Sequence, residues 1–143
     1  MPIAFLSTPL AGMAAAILVV MAVIHMYWAL GGSIGVEALV PQTAKGPLFR
    51  VSASMTLIVA LVFILAADLM FTRLGMAATR IPPESVQVAC ITMAAAFLIR
   101  AVGDFRYVGF FKRVRGSRFA QLDTTLYSPV SLFLSVAIGV NSL

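Results

Sequence analysis

The stretch RAVGDFRYVGFFKRVRGSRFAQLD, Arg100 to Asp123, decides how the rest of the chain is read. It holds six of the ten Lys and Arg residues, namely Arg100, Arg106, Lys112, Arg113, Arg115 and Arg118. Phe105, Tyr107, Phe110, Phe111 and Phe119 interleave them, and long apolar segments flank the stretch on both sides. This combination reads as a loop at a membrane surface. Cations there meet anionic head groups, and aromatic rings settle at the acyl boundary.

Working outward, the composition agrees. The chain has 143 residues, of which 62% are hydrophobic and 10% charged, with mean hydropathy +1.05. Soluble domains carry about 25% charged residues, so an aqueous globule is excluded. No Lys or Arg precedes Lys45, so the first apolar segment lacks the basic flank of a cleaved signal and is expected to stay as a span. The net charge of +5 lies between membrane segments, which assigns it to lipid rather than nucleic acid. Cys90 is alone within an apolar run and reads as a small buried residue, since no internal disulfide can form.

Four apolar segments are expected to span, at about 9–30, 48–74, 83–102 and 124–142. Thr8-Pro9 looks like the start of the first helix, and Gly31-Gly32 its end. Tyr27 and Trp28 sit there as interfacial anchors. Gly12 and Ala16 form a small-xxx-small pair, and Ala94, Ala95 and Ala96 give the third span a small face. Gly75 and Gly103 cap the second and third spans, and Asp68 lies close enough to Arg73 for an interfacial ion pair. The fourth helix is expected to begin at Asp123 as N-cap, with Pro129 in its first two turns. The expected fold is therefore all-α, a single four-helix transmembrane bundle. The loop-1 and loop-3 side carries Lys45, Arg50 and the six cations of the opening stretch, against Arg73 and Arg80 opposite. That asymmetry puts the basic loops in the cytoplasm and both termini outside.

This topology brings separate polar residues to similar depth. His25 and Tyr27 end the first helix, Arg100 ends the third, Asp104 and Arg106 follow it, Asp123 and Tyr127 open the fourth, and Glu37 hangs from the adjacent loop. Ionisable side chains within spans are costly and face a partner or water. Two readings stand side by side. In the first, the group forms a ligand cavity at the cytoplasmic leaflet. In the second, each member has a structural role, with Arg100 snorkelling to phosphates, Asp104 pairing with it, Asp123 capping a helix and His25 packing. Lys112, Arg113, Arg115 and Arg118 are expected on the lipid surface, in a segment with short pieces of interfacial helix, since Gly109 and Gly116 argue against one long uninterrupted helix. Nucleotide-loop patterns are absent. One His with scattered carboxylates does not make a zinc site, and haem or a serine triad lacks its further partners. No cofactor and no metal is expected.

The segments HMYWALGG (His25 to Gly32) and GDFRYVGFFK (Gly103 to Lys112), the latter followed by D-T-x-L-Y-S-P from Asp123, resemble a domain-of-unknown-function family of small bacterial membrane proteins with four spans. The resemblance implies that architecture and a bacterial inner-membrane location, and it implies no catalytic residues. The leading functional expectation is a non-enzymatic accessory subunit that contacts anionic lipid and other membrane proteins or its own copies. The alternative is an enzyme or transporter for an anionic, lipid-like molecule, held around His25 and Arg100. An acidic residue in the first span, needed by small proton-coupled exporters, is missing.

Overall fold

The computed structural model describes residues 2–43 and 45–142, with side chains from Thr8 onward. Four helices dominate: α1 (Pro2–Ala29), α2 (Ala53–Arg73), α3 (Pro83–Val102) and α4 (Arg118–Ser142). All four are long and apolar enough to cross a membrane. The 22 residues Thr8–Ala29 reach about 33 Å, enough for a hydrocarbon core of about 30 Å. Loop 1 adds a 3₁₀ turn at Val36–Ala38 and a two-stranded antiparallel ribbon, β1 (Gln42–Thr43) and β2 (Gly46–Pro47). The expected all-α, four-span bundle is the observed one.

The helix ends are set by local chemistry. Ser52 caps α2, its Oγ accepting from the Met55 N–H at 3.2 Å. The segment from Leu48 to Val51 therefore stays outside the helix, and the span is shorter than the expected 48–74. At the far end Gly75 takes φ 70°, which lets Met76 N bond Phe71 O and Gly75 N bond Thr72 O. Those bonds satisfy carbonyls that the helix leaves open. Pro9 does not start α1; it lies within that helix. Asp68 and Arg73 form no ion pair among the described residues, where two pairs occur, both on Asp123.

The largest correction concerns α4. It starts at Arg118, with Ser117 Oγ accepting from the Ala120 N–H, so Asp123 is an interior residue and no cap. Over Asp123–Tyr127 the helix widens into a π turn, and the Ser128 N–H reaches back to the Asp123 carbonyl. Pro129 follows directly. Proline cannot donate the helical hydrogen bond and its ring crowds the carbonyl four residues back. A wide turn just before it opens the backbone there.

Packing is built from small side chains. Ala11, Ala14, Ala15, Leu18 and Ala22 of α1 are buried, as are Ala60, Ala66, Ala67 and Met70 of α2. Van der Waals contact between close backbones is the main attraction available in lipid. On the other side, Val86, Cys90, Ala94 and Phe97 of α3 join Leu134, Ala137 and Ile138 of α4 in the core. A Cβ on Gly139 would lie 3.8 Å from that of Ala94. The Gln87 amide donates to the Ser142 carbonyl at 2.9 Å, tying the start of α3 to the end of α4. The bundle is thus two hairpins, α1–α2 and α3–α4, joined mainly through α1 and α4, while α2 and α3 meet little.

Candidate functional site

Asp123 is the polar centre of the molecule. An acid inside an apolar helix must be paired, and both oxygens of its carboxylate are. Oδ1 accepts from Arg100 Nη2 at 2.7 Å, and Oδ2 from Lys112 Nζ at 2.9 Å and from the Gly109 N–H at 2.7 Å. Lys112 Nζ also donates to the Gly109 carbonyl and to Thr124 Oγ1. Asp123 is fully buried and Lys112 is 1% exposed. Lys112 therefore does not join the cations that face the surface; it folds inward and clamps loop 3 onto α4. Arg113, Arg115 and Arg118 are exposed, and Arg115 Nε donates to the Lys112 carbonyl.

The segment GDFRYVG closes a tight crossing of the backbone. Gly103 and Gly109 both have φ near +90°, at 86° and 88°, and lie back to back where the chain crosses itself. Phe110 N bonds Ala101 O at 2.9 Å and Asp104 N bonds Val108 O at 3.2 Å across that crossing. Asp104 Oδ1 accepts from the N–H groups of Arg106, Tyr107 and Val108. It thus organises its own loop, with no ion pair to Arg100. Arg106 lies over the Tyr107 ring, 5.2 Å from its centroid. Loop 3 contains no helix between Gly103 and Ser117, and exposed Phe105 and Phe111 stand 6.2 Å apart.

Burial alone would raise the Asp104 pKa, but the three backbone donors outweigh it and hold the carboxyl below its usual value. The loop's stabilisation by Asp104 is therefore complete above the unfolded carboxyl value of about 3.9, and is lost as pH falls through the lower folded value. Amide exchange at Arg106, Tyr107 and Val108 is expected to accelerate, beyond intrinsic exchange, only at such acid pH. In an Asp104→Asn variant that acceleration should vanish.

A cavity of about 830 Å³ lies among the four spans. His25 and Trp28 of α1, Phe63 of α2, Phe97 and Arg100 of α3, and Tyr127 of α4 line its polar end. From Ala16 to Trp28 its wall runs roughly 18 Å along α1 at about 1.5 Å per residue. The rest of the lining is almost wholly apolar, and includes Val20, Val62 and Leu126, which are also exposed on the bundle's flank. His25 sits between the edges of Trp28 and Phe63, at centroid distances of 5.1 and 5.0 Å. Its Nδ1 is 2.7 Å from the Met21 carbonyl. A carbonyl only accepts, so Nδ1 carries a proton, and in the neutral ring Nε2 keeps an open lone pair. Of the Arg100 guanidinium only Nη2 is engaged, by Asp123; Nη1 has no partner among the described residues. Tyr127 OH donates to Ala38 O at 3.3 Å, joining α4 to the 3₁₀ turn.

His25, Arg100 and Tyr127 thus converge on one cavity, with Asp123 behind Arg100. The other expected members lie elsewhere. Tyr27 covers Gly32, and its OH accepts from the Ile34 N–H. Glu37 lines a separate surface pocket, and Asp104 and Arg106 stay in loop 3. No cluster of three or more His, Cys, Asp or Glu able to hold a metal occurs among the described residues.

Residues 18–138 match the family described as "Protein of unknown function (DUF3995)". The chain belongs to that family. The DUF3995 match contains the cavity's polar end, the Asp123 cluster and both GDFRYVGFFK and D-T-x-L-Y-S-P. No curated protein and no solved structure matches the chain.

Proposed function

We propose that this DUF3995 protein is a non-enzymatic, intramembrane binding protein for an amphipathic carboxylate, held with its chain in the cavity and its acid on Arg100. The observation that carries this reading is the half-engaged guanidinium at the polar end of an apolar cavity. Asp123 fixes its direction through one nitrogen and leaves the remainder of the group for a ligand. An Arg–carboxylate contact is charge-assisted and bidentate in good geometry. His25 Nε2 supplies an acceptor for a second polar group. A cavity of about 830 Å³ falls in the usual range for small-molecule sites, about 300–1,000 Å³. The Lys and Arg asymmetry supports an orientation with this end of the cavity at the cytoplasmic leaflet of a bacterial inner membrane, where Arg113 and Arg115 meet anionic lipid.

Trp28 is the chain's one tryptophan and lines the cavity, so it reports occupancy directly. A brominated long-chain fatty acid should quench its fluorescence saturably in detergent, and the matching brominated alcohol should do so only weakly. Arg100→Gln should weaken the acid's binding about 10- to 100-fold, the range for a hydrogen bond to a charged group. Equal, unsaturable quenching by acid and alcohol, unchanged in Arg100→Gln, would defeat the proposal.

A second reading, an accessory subunit that packs on other membrane proteins or on its own copies, draws on Gly12. A Cβ there would meet no atom within 4 Å, so the Gly12–Ala16 face is not consumed by packing within the chain. Crosslinking of a cysteine at Gly12 in native membranes tests it.

A further inference from the structure

A second pocket, of about 680 Å³, shares no lining residue with the cavity. Its position follows from how loop 1 is fastened. Ala38 is held by Tyr127, Val40 is 5% exposed, and the Leu48 N–H bonds the Pro41 carbonyl at 2.9 Å. These contacts set the 3₁₀ turn beside the first residue of α4 and beside the segment that enters α2. Three charged residues line the pocket as a result: Glu37 from the turn, Arg50 from the entry segment and Arg118 from α4. None forms an ion pair or a side-chain hydrogen bond among the described residues.

Apart from Gln42 the remaining lining is apolar, and includes Val36, Val40, Phe49 and Val51. Below the pocket, Met55, Ile58, Val62 and Leu65 of α2 are all exposed. Their spacing of three and four residues forms one lane along α2 into the membrane. A ligand that satisfies the whole site needs an anion for two guanidinium groups, a cation near it for one carboxylate, and a hydrocarbon chain for the lane. We propose that the pocket binds a phospholipid whose head group carries a primary ammonium, with the phosphate at Arg50 and Arg118 and the ammonium at Glu37. A simple anionic lipid would leave Glu37 unmatched beside its phosphate. A quaternary ammonium lacks the N–H donors that a carboxylate accepts, and free phosphate has no chain for the lane.

Thermal unfolding of the full chain in detergent, with added lipid, tests this. The probes are dioleoyl phosphatidylethanolamine, phosphatidylglycerol, phosphatidylcholine and inorganic phosphate. In the wild-type protein the ethanolamine lipid should raise the Tm most, and inorganic phosphate should leave it unchanged. Glu37→Gln should reduce the ethanolamine response to that of the choline lipid, and Arg50→Gln with Arg118→Gln should abolish the response to every phospholipid. The three residues are exposed, so these variants should unfold near the wild-type Tm without lipid. Native mass spectrometry supplies an independent readout, with about tenfold less retained ethanolamine lipid in the arginine pair variant. Equal stabilisation by ethanolamine and choline lipids would overturn the ammonium contact. A preference for phosphatidylglycerol would overturn the zwitterionic ligand, and full stabilisation by inorganic phosphate would overturn the lipid.

Discussion

Asp123→Ala is expected to cost about 3–5 kcal/mol, the range for breaking a buried ion pair from one side. The cost comes from what is left behind. Lys112 Nζ, buried with its side chain, would keep only Gly109 O and Thr124 Oγ1, and the Gly109 N–H would lose its acceptor. Arg100→Gln should cost less, because that side chain is 34% exposed and Asp123 keeps its other two donors. Replacing the inner pair together, as Lys112→Met with Asp123→Leu, should recover much of the loss, since a well-packed apolar pair can substitute for a buried ionic one. Unfolding in mixed detergent, run as a double-mutant cycle, measures these differences. Single-variant costs below about 1 kcal/mol would mean that the pair behaves like an exposed one and does not fasten loop 3.

Gly103→Ala and Gly109→Ala should be comparably damaging for a different reason. A Cβ on Gly103 would collide with the Val108 carbonyl oxygen, and one on Gly109 with that of Val102. Both obstacles are backbone, so no rotamer change relieves them. The positive-φ backbone alone costs a residue with a Cβ roughly 1–3 kcal/mol, and overpacking adds about 1–3 kcal/mol. By contrast Gly116→Ala, where a Cβ would meet nothing within 4 Å, should be nearly silent. The Tm values of the three variants in one detergent check the contrast. If Gly103→Ala and Gly116→Ala melted together, the crossing of loop 3 would not be rigid.

The four spans were readable in the sequence because lipid demands continuous apolar helices, and few other arrangements satisfy the backbone there. The end of α3 at Gly103 and that of α2 at Gly75 were readable for the same local reason, a positive φ after the last turn. The start of α4 was not. Asp before an apolar run looks alike whether it caps a helix or pairs inside one, and Ser117 offered a competing cap earlier in the chain. Lys112 was hidden by its neighbours. Its one distinguishing mark was that it is the single lysine among the arginines of loop 3, a compact point charge where its neighbours carry a planar fork. The meeting of His25, Arg100 and Tyr127 followed from counting helix directions. The diversion of Glu37 did not, because the hydrogen bond from Tyr127 to Ala38 spans 89 residues and leaves no local pattern.

The exposed apolar residues at the cavity's flank bear on what an affinity would mean for the proposed ligand. A ligand that entered past Val20, Val62 and Leu126 would arrive from the bilayer, where amphiphiles are concentrated far above their level in water. Occupancy then follows the ligand's mole fraction in the membrane, and a dissociation constant in moles per litre of buffer would vary with the amount of lipid in the assay. Each methylene removed from the chain forfeits about 0.8 kcal/mol on passing from water into the membrane. It forfeits little on the second step, from one apolar medium into another. For the amphipathic carboxylate proposed above, the membrane would therefore be the reservoir, and its composition, more than the aqueous supply, would set how full the site is.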